Sequence, residues 1–324
     1  MNNLERIVRK IDRLQARHAI LAFPVAVAKK YGDDQCGRLS ALIAFYGFFS
    51  LFPLMLVFVS VLGFVLADNP DLRERLVDSA FGQFPVIGEA LRSGANLQPL
   101  EGSWVAVAVG GATAIWAGLR VAQATQLAMN TIWDIPRASW PNYIFRRVRA
   151  LAMIALLATI VVLSTFTSSL GSSGSSSSAI LRYGGWVVAL ALNAVLFTLT
   201  YQLLTAEMLR WRNVLPGAAI AALGWTILQS VGGYVVTHQI NQASDVYGTF
   251  ALVIALLVWI SLGAQLTLFC AEINVVRRRH LWPRNIVQPP LSEGDRRVYD
   301  AIVTRARMRP EMQVDVRFRE HADA

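Results

Sequence analysis

Charge is scarce in this sequence. Only 16% of its 324 residues are Asp, Glu, Lys or Arg, against roughly 25% in soluble domains. A soluble chain of this length needs one or two domains wrapped in far more charge. Lysine is almost absent: Lys10, Lys29 and Lys30 all precede the first long apolar run. No lysine is therefore on hand to cradle a phosphate inside a bundle, and no Gly-Lys-Ser/Thr loop is present. The four histidines, His18, His238, His280 and His321, are scattered. None has a second His or Cys at ligand spacing, which argues against a metal site. No Gly-x-Ser-x-Gly elbow occurs. The two cysteines, Cys36 and Cys270, allow one disulfide at most. Cys270 lies in an apolar run and Cys36 just before one, so free thiols are expected. No short apolar core with a small-residue cleavage site opens the chain, so no signal peptide is expected. The sequence thus leads us to expect no catalytic residues, no metal and no cofactor, and neither an ATP-driven pump nor a metallonuclease.

What is abundant is apolar sequence. Hydrophobic residues make up 55% of the chain and the mean hydropathy is +0.45, which excludes disorder. Six stretches free of Asp, Glu, Lys and Arg meet or approach the ~20 residues that cross a bilayer as a helix. They cover residues 39–67, 102–119, 150–181, 183–206, 213–244 and 246–271. The second is the shortest and can continue past Arg120 as a helix with a polar side. The third ends in a Gly/Ser run at 171–178, which reads as loop. Hydrocarbon requires internally satisfied backbone groups, and these runs do not alternate as barrel strands do. The expected fold class is therefore all-α: a polytopic membrane protein with six transmembrane helices.

The bases set its direction. The chain carries 30 Lys and Arg against 21 Asp and Glu. Twenty-six of the 30 bases fall in alternate segments: the N-terminus to Arg38, residues 120–149, Arg210 and Arg212, and the tail from Arg277. The other connections hold only Arg73, Arg75, Arg92 and Arg182. Positive residues stay in the cytoplasm, so both termini are expected inside. Bases that flank apolar runs, rather than forming a patch on a soluble fold, argue against a nucleic-acid partner.

Three regions follow: a basic amphipathic segment at 1–38, a transmembrane domain at 39–276 and a charged cytoplasmic tail at 277–324. Within residues 3–23, Leu4, Ile7, Val8, Ile11, Leu14 and Leu21 recur at helical spacing opposite Arg6, Arg9, Lys10, Arg13 and Arg17. Such a helix suits either the surface of an anionic inner leaflet or a solvated face packed on the bundle. Pro24 is expected to end or kink it. Residues 68–101 read as an external helical cap, opened by Asn69 and Pro70. In the tail Ser292 offers a helix start, with most of the rest expected to be mobile. Membrane lipids are the expected partners, and a homo-oligomer is left open.

Polar residues within the runs are the candidate sites. Arg120, Gln123, Gln126, Asn130 and Asp134 fall within about 120° of arc at 100° per residue. Such a stripe is expected to face the bundle interior or a wet cavity. It either lines a pathway, with Arg120 attracting an anionic head group, or makes hydrogen bonds between helices. Ser261, Gln265 and Glu272 share a face within about 40°. Glu272 reads as a proton or cation site, or as the partner of Arg277 or another interfacial base. Ser50-x-x-Pro53 frees a backbone carbonyl in mid-membrane, giving a hinge, a binding notch or a simple kink. Gly110, Ala114 and Gly118, and Gly217 with Ala221, mark seams where helices approach closely.

Three motifs resemble a known family. Ala41-Leu-Ile-Ala-Phe-Tyr-Gly-Phe-Phe-Ser-Leu-Phe-Pro53 resembles the first-helix signature of the YihY/virulence factor BrkB family. Pro216-Gly-Ala-Ala-Ile-Ala-Ala-Leu-Gly-Trp225 is similar to its fifth-helix opening, and Tyr247-Gly248 through Trp259 to Ala271-Glu-Ile-Asn274 to its last helix. The match spans roughly residues 36–276. Ser261 stands where the family often has an aromatic, and Cys270 where it often has glycine. The resemblance implies a six-helix protein of the bacterial cytoplasmic membrane, linked to serum resistance and envelope lipid traffic. The family's old tRNA-processing ribonuclease label finds no metal cluster or acid–base pair here. Two functions are expected to compete. One is a translocator, not driven by ATP, for a lipid or other amphiphile. The other is a non-transporting envelope scaffold or serum-resistance factor.

Overall fold

The computed structural model describes residues 12, 15, 18–65, 104–156, 179–235 and 249–318. Among these residues every regular element is helical. In chain order they are α1 (Ala19–Asp33), α2 (Cys36–Val65), α3 (Trp104–Ile132), α4 (143–156), α5 (Ala179–Leu204), α6 (Trp211–Val235), α7 (Thr249–Arg279) and α8 (Glu293–Arg305), with one 3₁₀ turn at Arg137–Ser139. The external cap at 68–101, the Gly/Ser run at 171–178 and most of the basic segment before Ala19 lie outside the described residues.

Among the described residues, four helices carry stretches long and apolar enough to cross a membrane: Cys36–Leu54, Val187–Leu204, Trp211–Gly232 and Val253–Arg279. α3 covers the second expected run and continues through Arg120 to Ile132. The third run is described only as far as residue 156.

Two prolines lie inside continuous helices. α1 begins after His18 and runs through Pro24 to Asp33, so the helix neither starts at residue 3 as one unit with this segment nor ends at the proline. Pro24 leaves one carbonyl, that of Ile20, without its helical donor, and Ile20 is 87% exposed. α2 likewise runs unbroken through Pro53. Ser50 donates its hydroxyl to the Gly47 carbonyl one turn back, at 2.7 Å.

α7 is the central helix, packing against α6, α2, α1 and α3. Glycine sets how closely α6 approaches it. A Cβ at Gly217 would stand 2.2 Å from the Cys270 carbonyl oxygen, and one at Gly232 2.2 Å from the Trp259 ring. The Gly217 amide donates to Asn274 Oδ1 at 2.8 Å, which ties the two backbones together. The larger core gathers Val27, Met129, Trp133, Tyr201, Val214 and Leu268 near one end of the bundle, and a smaller one joins Phe48 and Leu51 to Leu256 and Trp259. Outward faces carry large apolar side chains such as Phe45, Phe49, Ile227, Val231 and Ile254, as lipid-facing helices require. Cys36 and Cys270 are both free and buried.

The tail is more ordered than its charge suggests. α8 opens on a capping box: the Ser292 hydroxyl accepts from the Asp295 amide, and Asp295 accepts from the Ser292 amide. Arg284 is wholly buried, donating to Asp33 at 2.7 Å and to Asp295 at 2.9 Å. Gln15 donates its amide to the Arg284 carbonyl at 2.6 Å, and Asp12 accepts from the Ile286 amide at 2.9 Å, which holds the segment before α8. Asp295 is buried, which works against its ionisation. Hydrogen bonds from Ser292, the Asn285 amide and Arg284 nonetheless hold its carboxyl down at about 2. The N-terminal segment and the tail are thereby packed together at the end of the bundle where α7 finishes.

A buried ion cluster as the candidate functional site

Three helices end side by side at that place. α1 stops at Asp33, α3 at Ile132 and α7 at Arg279, and each is followed by a residue with positive φ: Gln35 (54°), Asp134 (49°) and His280 (50°). The α3 end shows the local logic. The Ile135 amide donates to the Asn130 carbonyl at 2.9 Å and the Asp134 amide to Thr131 at 3.1 Å. That paired-bond cap needs a left-handed residue, a role aspartate tolerates better than most. The end of α3 presents its terminal carbonyls, Thr131, Ile132 and Trp133, to cations there, as the negative end of a helix favours.

Lys30, in the last turn of α1, fills that spot with no exposed surface. Its ammonium contacts Asp34 directly and donates to the Ile132 carbonyl at 3.2 Å. It also lies 3.2 Å from Asp134 Oδ2 and 4.0 Å from Glu272 Oε2. Arg305 of α8 reaches in to Asp34 at 2.7 Å, to the Thr131 carbonyl at 2.6 Å and to Asp134 at 3.3 Å. Arg279 donates to Asp134 at 3.2 Å and to the Trp133 carbonyl. Three cations thus face three carboxylates. Burial works to lower the Lys30 pKa, but the Glu272, Asp34 and Asp134 carboxylates together push it above the usual lysine range. Burial raises the Asp134 carboxyl, with Asp34 adding to the rise and Lys30, Arg279 and Arg305 opposing it.

Glu272 is the least satisfied member. It has no exposed surface, and the Cys36 thiol is 3.4 Å from Oε1. Among the described residues its Oε2 has no hydrogen-bond partner. The reason is donor supply: the three ammonium hydrogens of Lys30 have nearer acceptors in Asp34, Asp134 and Ile132. The base that faces Glu272 is therefore Lys30, and Arg277 is exposed.

An apolar groove of about 530 Å³ lies beside this cluster. α1 contributes Ala28 and Tyr31, α6 Ile227 and Val231, and α7 Gln265 and Phe269. The groove opens sideways between helices, and Ile227, Val231 and Phe269 keep 39–55% of their surface exposed along it. Tyr31 lines it as well, its ring 5.8 Å from that of Phe269. Burial raises the Tyr31 phenol, a hydrogen bond with Ser40 opposes this, and Cys36 and Glu272 add to the rise. One face of α7 therefore carries both features. Gln265, whose amide donates to Ser261 at 3.1 Å, is exposed in the groove. Glu272, seven residues or about 10 Å further along the helix, is sealed under α1.

The other residues singled out by sequence divide in two. Gln126 donates to the Arg146 carbonyl at 3.0 Å, Asn130 accepts from the Ala206 amide at 2.8 Å, and Asp134 joins the ion cluster. Gln123 is half-buried on the same side. Arg120 is not brought to them: it is exposed, its guanidinium 5.1 Å from the centre of the Trp116 ring. Ser50 and Pro53 are half-buried in the unbroken α2. Sequence reasoning passed over Lys30, Asp34, Arg279, Arg284 and Arg305. The available signal was Lys30 and Asp34, an i,i+4 pair just before the first apolar run.

Comparison with known proteins places the chain. The family model described as Virulence factor BrkB matches residues 27–289, which takes in α2 to α7 and the groove. The inner membrane protein YhjD of Escherichia coli (strain K12) is 23% identical over 287 residues, covering 83% of this chain and 84% of its own. An uncharacterized protein of Dickeya dadantii is 25% identical over 280 residues, covering 81% and 84%. A UPF0761 membrane protein of Xanthomonas euvesicatoria pv. vesicatoria is 25% identical over 278 residues. That alignment covers 81% of this chain and 62% of the relative. No solved structure matches. Apolar helices of membrane-spanning length, matched across most of the chain by this family, make the protein a multi-pass bacterial inner-membrane protein belonging to the Virulence factor BrkB family.

Proposed function

We propose that the protein is a translocator, not driven by ATP, for a lipid or other amphiphile of the bacterial envelope. The observation that carries this reading is the open apolar groove between α1, α6 and α7, whose lining residue Tyr31 stands beside the buried ion cluster. An amphiphile has an apolar chain that suits such a furrow and a polar head that needs charge or hydrogen bonds nearby. Gln265 and Ser261 supply neutral polar groups on the groove face, and Glu272 is the nearest buried charge along the same helix. In this reading the chain is not an enzyme, binds no nucleic acid and spans the membrane six times. Both termini face the cytoplasm, and the basic N-terminal segment rests on the anionic inner leaflet. The packing of α8 and the segment before it against the end of α1 supports placing the two termini on one side.

Arg120 keeps its proposed role as an anion-attracting group only at the protein surface, because it stands apart from the buried amides of its stripe. Those amides support the second reading, a non-transporting scaffold: Gln126 and Asn130 are spent on bonds between segments rather than offered to a cavity.

Flux of a fluorescent phospholipid in proteoliposomes separates the two. Translocation predicts faster flux than in empty liposomes. It also predicts a loss in Val231→Trp, which fills the groove from an exposed position without touching the core. Wild-type flux equal to that of empty liposomes sinks the translocator and promotes the scaffold. Undiminished flux in folded Arg120→Gln removes Arg120 from the mechanism, and undiminished flux in folded Val231→Trp removes the groove.

A further inference from the structure

A second concavity, of about 470 Å³, lies at the turn between α5 and α6, lined by Gln202, Leu209, Arg210, Trp211 and Arg212. We infer that it is a docking site for the anionic phosphate head group of a membrane lipid. Three observations converge on that occupant.

The first is charge. Arg210 and Arg212 are exposed, and no described carboxylate lies within salt-bridge distance of either. The one acid of the turn, Glu207, faces Arg278 at 3.5 Å instead. Arg212 stands over the Trp211 ring at 5.3 Å, which leaves its N–H edge free to donate. Two guanidinium groups spaced either side of one tryptophan suit the oxygens of a phosphate ester.

The second is position. The apolar stretch Val187–Leu204 ends at one side of this turn and Trp211–Gly232 begins at the other. The concavity therefore sits at the edge of the hydrocarbon, where head groups are. Met208 is 90% exposed and Trp211 54%, an apolar and aromatic rim that suits the interface and is costly in bulk water.

The third is rigidity. Gln202 donates its amide to the Leu209 carbonyl at 3.0 Å, and Arg149 donates to the Thr205 carbonyl at 2.8 Å. The Ala206 amide is held by Asn130. The turn is thus fixed to α3, α4 and α5 before any lipid arrives, so little ordering cost remains on binding.

This site stands whether or not the protein transports. Its test is binding: native mass spectrometry of the full chain in a neutral detergent, titrated separately with phosphatidylglycerol and phosphatidylcholine. Phosphatidylglycerol is expected to bind more tightly. The double variant Arg210→Gln/Arg212→Gln is expected to weaken it by about tenfold or more, since charge-assisted hydrogen bonds are lost. Phosphatidylcholine binding and the gel-filtration profile should not change. Arg296→Gln, an exposed base on α8, should leave phosphatidylglycerol binding intact, and Arg210→Lys/Arg212→Lys should retain part of it. In the wild type, raising salt from about 50 to 500 mM should weaken phosphatidylglycerol alone. That arm keeps the proposal testable if the glutamine variant fails to fold. Equal affinity for the two lipids, a folded glutamine variant with unchanged affinity, or displacement of the lipid by millimolar inorganic phosphate would each overturn the assignment.

Discussion

Lys30→Met removes one cation from a cluster whose charges balance. Asp34, Asp134 and Glu272 would then face only Arg279 and Arg305, in a place with almost no access to water. Breaking a buried ion pair by deleting one partner costs about 3–5 kcal/mol, mostly from the charge left uncompensated. At roughly 2 °C per kcal/mol, the lower end of the scale for larger chains, unfolding in detergent should fall by about 6–10 °C. The compensating change is Glu272→Gln, because Glu272 has the fewest bonds to lose. The double variant restores neutrality and should unfold closer to wild type than Lys30→Met does. The measurement is thermal unfolding followed by tryptophan fluorescence, with a gel-filtration check at each step. A Lys30→Met midpoint within 1–2 °C of wild type would mean that water or a mobile side chain reaches the cluster. A double variant less stable than either single variant would show that Lys30 and Glu272 are not matched, and the charge-balance argument would fail.

Three further outcomes follow from particular contacts. Gly217→Val should cost about 1–3 kcal/mol, the usual range for overpacking, because its Cβ would collide with the Cys270 carbonyl; an unchanged melting midpoint would contradict the close approach of α6 and α7. The Asp295 carboxyl is held at about 2, below its ordinary value near 4, so its ionised form stabilises α8. That contribution is complete above about pH 4 and is lost as the pH falls through 2. Hydrogen exchange in α8 should therefore rise over that window before exchange in α7, and Asp295→Asn should show the rise already at neutral pH. Gln265→Leu should leave folding intact and alter lipid flux if the groove carries the amphiphile, whereas unchanged flux would confine the polar contribution to other residues.

The apolar runs made the helices legible because hydrocarbon leaves a chain little choice of backbone. Their length and lack of charge are the cause of α2, α5, α6 and α7, and the small residues at Gly217 and Ala221 already marked a seam. The ion cluster was legible only by halves. Asp134 and Glu272 stood out as acids at the ends of apolar helices, but their partner Lys30 lies 104 and 242 residues away, in the basic segment before the first apolar run. Nothing in helical periodicity distinguishes a lysine bound for water from one bound for three carboxylates. The Arg120 stripe failed to hold together for a geometric reason. At 100° per residue Arg120 lies about 80° from Asn130, so burying Gln126, Asn130 and Asp134 turns Arg120 outward. Ser261, Gln265 and Glu272 share one stripe of α7 by helical spacing, yet α1 covers only its last turn. The same helical stripe therefore becomes an open groove at Gln265 and a sealed ion site at Glu272. α1, a segment outside the long apolar runs, makes that division. Tyr31 stands at that division, lining the groove while burial, with Cys36 and Glu272 on the cluster side, raises its phenol.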